Sequence, residues 1–87
     1  LIPKAPPIQD TYGWALFKAG KADAAIEHLD AAAKGMPDNG EVQYHLAAAL
    51  AASGRQSEAL PLARKAVAGT LSPAIRVEAT KLLAELQ

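Results

Sequence analysis

The sequence predicts an all-α fold, and three observations lead to this prediction. Alanine, the strongest helix former, makes up about a quarter of the 87 residues. The β-branched and aromatic residues from which strands are built are sparse. Glycine and proline, six of each, stand at intervals along the chain and therefore mark breaks between helices.

Two helices are expected before the central proline and glycine turn. The first runs from about residue 8 to 19, after an extended, proline-rich entry, and stops at Gly20. The second covers about residues 23–34. Its apolar residues, among them Ile26 and Leu29, are spaced three and four apart and so form one face.

Three more helices are expected after that turn. The third covers about residues 41–52 and ends before Gly54. Ser57 is the expected N-cap of the fourth, which runs to about residue 68. Ser72 is the expected N-cap of the fifth, with Pro73 at its first position. Because the connections are short, neighbouring helices are expected to be antiparallel.

The chain repeats itself with a period of 34 residues. Alanine pairs carry little weight in so alanine-rich a chain, but the glycine and proline pairs fall on predicted helix ends. Identical pairs include Pro3 and Pro37, Gln9 and Gln43, Leu16 and Leu50, Gly20 and Gly54, Ala25 and Ala59, Ala32 and Ala66, and Gly35 and Gly69.

At these positions the sequence resembles the tetratricopeptide repeat family. The family motif has small residues where two helices cross, a glycine in the turn and a closing proline. The matching positions are Gly13, Leu16, Gly20, Ala25, Ala32 and Pro37 in the first copy, and Leu46, Ala47, Gly54, Ala59 and Ala66 in the second. The early tryptophan of the motif is Gln9 and Gln43 here, and Leu71 replaces the second closing proline. The resemblance covers about residues 3–71 and implies a right-handed α–α superhelix of antiparallel helix pairs.

The resemblance also implies a division of the chain. Residues 1–7 are expected to be the tail of a preceding repeat or a linker. Residues 8–37 and 40–71 are expected to be two repeat motifs, and residues 73–87 a C-terminal capping helix.

The capping role of the last helix depends on its polar residues. Glu78, Lys81 and Glu85 are expected on its outer side, as a terminal helix requires. The alternative is that this helix is the first of a third, truncated repeat.

The chain begins with Leu1 rather than methionine, and we interpret it as a C-terminal piece of a longer repeat array. The missing upstream helix would leave an apolar surface around Ile8 and Leu16. A homodimer through this N-terminal end is therefore a second expectation.

In this family the first helix of each repeat lines the concave face. By position, the candidate partner-binding residues are Asp10, Trp14, Phe17 and Lys18 in the first copy, and Glu41, Tyr44, His45 and Ala48 in the second. This implies a scaffold that binds a protein or peptide segment in a helical groove. The alternatives are that the aromatic residues are ordinary core residues, and that the chain is only a structural cap or self-association element. The acidic Asp10 disfavours a receptor for a peptide's terminal carboxylate.

Nothing in the sequence indicates catalysis or a cofactor. The serines at predicted helix ends are explained as caps, and the glycines are isolated rather than gathered in a phosphate-binding loop. The chain has no cysteine, and His28 and His45 lie on different helices without metal-ligand spacing. His28 is expected to face solvent. We expect a protein that is not an enzyme and needs no metal or cofactor.

Charge and hydropathy exclude two further classes of partner. Nine basic and nine acidic side chains give zero net charge, so no nucleic-acid partner is expected. No apolar run approaches the ~20 residues that span a bilayer, so no membrane insertion is expected from this segment.

A second resemblance concerns location. Residues 10–16 and 41–46 look like the last repeats of long bacterial repeat proteins, many of which are envelope lipoproteins. This resemblance implies the bacterial cell envelope or periplasm. Without it, the cytoplasm is the expectation.

Overall fold

A computed structural model of the protein describes residues 4–87, and these residues form five α-helices without a strand. The all-α prediction is therefore confirmed. The predicted pairing of Pro3 with Pro37, and residues 1–3 of the expected N-terminal tail, lie outside the described residues. The helices are α1 (Pro6–Lys18), α2 (Ala22–Gly35), α3 (Gly40–Ala52), α4 (Gln56–Ala68) and α5 (Pro73–Leu86).

The same kind of turn connects the two helices of each pair, α1 to α2 and α3 to α4, and it recurs after 34 residues. Gly20 and Gly54 have φ angles of +83° and +80°, in the left-handed region that glycine adopts without strain. The next residue in each case, Lys21 or Arg55, donates its N–H to a carbonyl five residues back, at 2.9 and 2.8 Å. This is the 6→1 hydrogen bond of the Schellman motif. The turn folds the second helix of each pair back onto the first.

Two predicted helix starts are wrong. Pro6 and Pro7 lie inside α1 rather than in an extended entry, because the first positions of a helix need no N–H donor. Ser57 does not cap α4. The N-cap is Arg55, which follows the left-handed Gly54 directly, so that Ser57 already lies within the helix. Ser72 does cap α5, since its hydroxyl accepts from the N–H of Ile75.

The helices form two layers. Each helix packs on the next along the chain, and α3 also contacts α1 and α5. In contrast, α2 and α4 have no Cα atoms within 8 Å of each other in the described chain. Helices α1, α3 and α5 therefore form an inner layer, and α2 and α4 form an outer layer. The inner layer is continuous from repeat to repeat and the outer layer is not, which is the arrangement expected when the inner helices line the concave face.

The core is built from small residues and leucines at the helix crossings. Leu29 on α2 is completely buried and lies against Gly13 on α1, where a Cβ atom would come within 2.7 Å of the Leu29 Cγ. The buried residues that form one connected core cluster are Ala25, Leu29, Leu46, Ala47, Ala49, Leu50, Ala59 and Ala63. Helix α3 is the most buried helix because it packs against all the others.

Two buried glutamines stand where the family motif has tryptophan. Gln43 donates through Nε2 to the carbonyl of Pro37, which ties α3 to the preceding turn. Gln9 Oε1 lies 2.7 Å from Nδ1 of His28, and the edge of the His28 ring meets Tyr12 at a centroid distance of 4.8 Å. His28 is therefore half-buried between α1 and α2, and the prediction that it faces solvent is wrong.

Within residues 4–87, no helix combines the length and the apolar character that crossing a membrane requires.

Candidate functional site

The inner layer brings together four aromatic rings from α1 and α3, here called the aromatic cluster: Trp14, Phe17, Tyr44 and His45. Trp14 stacks on Phe17, one turn along α1, with ring centroids 4.8 Å apart and planes at 10°. It also stacks on His45 at 4.0 Å and 20°, and lies 5.7 Å from Tyr44. Trp14 is thus the ring that joins the two repeats.

A buried hydrogen bond holds this cluster in place. Nδ1 of His45 lies 2.7 Å from Oδ1 of Asp10, and the side chains are only 4% and 15% exposed. Since a carboxylate oxygen can only accept, Nδ1 donates, and Nε2 faces the Glu41 carboxylate at 3.8 Å. The Asp10–His45 bond fixes the imidazole plane and, through stacking, the indole of Trp14.

The residues predicted to line the concave face differ in how accessible they are to a partner. His45 and Ala48 are buried, so they support the groove from below. Trp14, Phe17 and Tyr44 are half-buried, so each keeps some accessible surface, and Phe17 also packs against the core. The remaining residues provide charge. Glu41 and Lys18 are exposed, and Lys18 Nζ lies 5.6 Å from the centroid of the Trp14 ring, a cation–π distance.

The third inner helix also contributes to this face. Burial raises the pKa of the Tyr44 phenol above its ordinary value of 10.0, and the negative charges of Glu78 and Glu85 raise it further. The charges of both exposed carboxylates on α5 therefore act on Tyr44 of α3. Glu78, Lys81 and Glu85 are all exposed, as expected of a polar side of the last helix, and the capping role of this helix stays a prediction.

The charges around Tyr44 can be tested by titration. We expect Glu78→Gln combined with Glu85→Gln to lower the pKa of Tyr44, while burial, the larger cause, keeps it above 10.0. Ultraviolet absorbance of phenolate, measured in a Tyr12→Phe background that leaves one tyrosine, gives this pKa directly. An unchanged titration would mean that neither carboxylate acts on Tyr44.

The described chain contains no group of three or more histidine, aspartate or glutamate side chains placed to hold a metal ion.

Paired antiparallel helices in two layers, with small residues at the crossings and a recurring turn, define an α-helical repeat protein. The sequence model of the tetratricopeptide repeat matches residues 16–86, which runs from the end of α1 through α5. The chain belongs to the tetratricopeptide repeat family. Such repeats generally mediate protein–protein interactions and are typically non-enzymatic scaffolds. Comparison with curated proteins and with solved structures found no match.

Proposed function

We propose that the inner layer of this chain binds a segment of a partner protein, and that the aromatic cluster with Asp10, Lys18 and Glu41 forms the binding surface. The observation that carries this proposal is the arrangement around Trp14. Its half-exposed ring is held by stacking on the buried His45, which is itself held by Asp10. A rigid aromatic surface loses little conformational entropy on binding, and this increases affinity.

The proposal gives different roles to the predicted site residues. Trp14, Phe17 and Tyr44 contact the partner, since their rings are partly exposed. Asp10 and His45 are positioning residues, because little of either side chain is exposed to a partner. Exposed aromatic anchors beside buried supporting groups are typical of residues that dominate binding energy.

We also propose the division of the chain into motifs at residues 8–37 and 40–71, followed by the last helix, which contributes to the groove through Glu78 and Glu85. This division keeps the two-repeat register of the 34-residue period. It replaces a purely capping role for α5 with a role in the binding surface.

The test of the groove is a binding measurement on two tyrosine variants. A peptide is first selected on the 87-residue chain from a displayed library, and its affinity is measured by Trp14 fluorescence, since the chain has one tryptophan. We expect Tyr44→Ala to weaken binding by about tenfold or more. Tyr12→Ala, on the side of α1 that faces α2, is the matched control and should leave the affinity unchanged.

The affinity of each variant is compared together with its helix content, which is measured by circular dichroism. Equal affinity of the Tyr44→Ala variant and the parent chain, with helicity retained in both, would overturn the groove assignment.

The alternative role, a terminal or self-association element of a longer solenoid, has one observation in its favour. Ile8 on α1 is 44% exposed, as expected of a residue that another helix could cover, whereas Leu16, the other residue predicted at this surface, is partly buried against the core. Sedimentation equilibrium of the same samples separates the two roles. A concentration-dependent dimer that Ile8→Ser abolishes, together with no peptide selected by the groove, would favour self-association.

A further inference from the structure

We propose that the partner segment is cationic: an extended or helical peptide whose lysine or arginine side chains lie against the carboxylates of α3 and α5 and the exposed rings of the aromatic cluster. This inference rests on the proposed groove and adds the chemical class of its occupant.

The distribution of charge supports a cationic occupant. The whole chain has zero net charge, but the inner face has an excess of carboxylates. Its acidic residues are Asp10, Glu41, Glu78 and Glu85, and its basic residues are Lys18 and Lys81. Arg76 of α5 is not counted, because its guanidinium donates to the carbonyls of Val67 and Gly69 where α4 ends. The inner face therefore has a formal charge of −2, which attracts a cationic segment and repels an acidic one.

Two of these carboxylates are exposed and form no ion pair with a lysine or arginine of the described chain: Glu41 and Glu85. Glu41 faces Nε2 of His45 at 3.8 Å but is 53% exposed. In contrast, Asp10 is only 15% exposed and bonded to Nδ1 of His45, and Glu78 lies 3.9 Å from Lys81. Glu41 lies one turn before Tyr44 on the same helix face, and the negative charge of Glu85 raises the pKa of Tyr44 from α5.

The chain itself shows how a cation can be held at this surface. Lys18 places its ammonium group 5.6 Å from the centroid of the Trp14 ring, while the ring stacks on neighbouring aromatic groups. A partner lysine over Tyr44 would make the same contact and would also meet the carboxylates. A desolvated cation on an aromatic face combines both kinds of attraction.

The test uses two synthetic peptides of about twelve residues. One has lysine at every third position in a serine and leucine background, and the other has glutamate in place of each lysine. Binding to the 87-residue chain is followed through Trp14 fluorescence. We expect saturable binding of the lysine peptide, weakened severalfold at about 0.5 M salt by screening, and no binding of the glutamate peptide.

Two matched double variants locate the interaction. Glu78→Gln with Glu85→Gln removes two carboxylates from α5, one of which is paired with a lysine. Glu27→Gln with Asp30→Asn does the same on the outer helix α2, where Asp30 pairs with Lys34. Both change the net charge equally. We expect the α5 variant to bind the lysine peptide about tenfold more weakly, and the α2 variant to bind within about twofold of the parent chain.

The outcomes separate this inference from the proposed function. Equal weakening by both double variants, or equal binding of both peptides, would overturn the cationic assignment. If the library instead yields uncharged peptides whose binding requires Tyr44 but neither glutamate, the groove stands and its cationic occupant does not. If the bound peptides are insensitive to Tyr44→Ala, the groove itself is wrong.

Discussion

Replacing Leu29 with alanine is expected to lower the free energy of unfolding by about 2–5 kcal/mol. The Leu29 side chain is completely buried and is the largest such side chain on α2. Its removal leaves a cavity between the first two helices, where Leu29 lies against Gly13, which has no side chain to fill it. Small side chains have few ways of collapsing into that space, so the cavity remains.

The measurement for Leu29→Ala is urea denaturation followed by circular dichroism. Val77→Ala is the control, since Val77 on α5 is 61% exposed and a change there should stay within about 0.5 kcal/mol. Equal midpoints for the two variants would contradict the packing described for α1 and α2.

Replacing Gly13 with alanine is expected to lower the free energy of unfolding by about 1–3 kcal/mol. Alanine is the better helix former by about 1 kcal/mol, so helix propensity alone predicts the opposite sign. Packing decides the outcome. The new Cβ atom would lie 2.7 and 2.9 Å from two Leu29 side-chain carbons and 3.2 Å from the Leu29 backbone nitrogen. The first two distances require a shift, and the third limits the direction that it can take.

The second repeat indicates how the loss of stability in Gly13→Ala can be avoided. The positions 34 residues after Gly13 and Leu29 are Ala47 and Ala63, both buried. In the second repeat, alanine replaces glycine on the first helix of the pair, and alanine replaces leucine on the second helix. The larger residue at one position is therefore accompanied by a smaller one at the other. We expect Gly13→Ala to be neutral or stabilising in a Leu29→Ala background. A double-mutant cycle measures this coupling, and strictly additive losses would show that the two residues do not compete for the same space.

Much of the fold is predictable because its determinants are local. The glycines of the two turns must adopt positive φ, and they recur with the repeat. The alanines at helix crossings recur for the same reason, since larger side chains would separate the helices. The number and order of helices follow from these positions together with the apolar spacing.

The errors at helix ends also have physical causes. Ser57 is a good N-cap by type, but the left-handed Gly54 reverses the chain so sharply that the helix has already begun at Gln56. The prolines before α1 indicate an extended chain as readily as a first helical turn. His28 is polar, yet it is half-buried because Gln9, at a position that usually holds an aromatic residue, needs a polar neighbour.

The site is less predictable than the fold. The candidate residues on α1 and α3 do lie together, because both helices occupy the inner layer. The bond between Asp10 and His45 joins residues 35 positions apart, and no local pattern indicates it. The contribution of Glu78 and Glu85 depends on the rotation of α5 about its own axis, which is set by tertiary packing on α3 and α4 rather than by the helix's own sequence.

The separation of α2 from α4 has a mechanical consequence. Bending a stack of helices compresses one side and stretches the other, and the resistance is largest where atoms are in contact. Here the contacts between the repeats are those of α3 with α1 and with α2, whereas α2 and α4 have no Cα atoms within 8 Å of each other in the described chain. We therefore expect α3 to be the pivot of a bend. Changes of curvature would then open or narrow the cleft between α2 and α4.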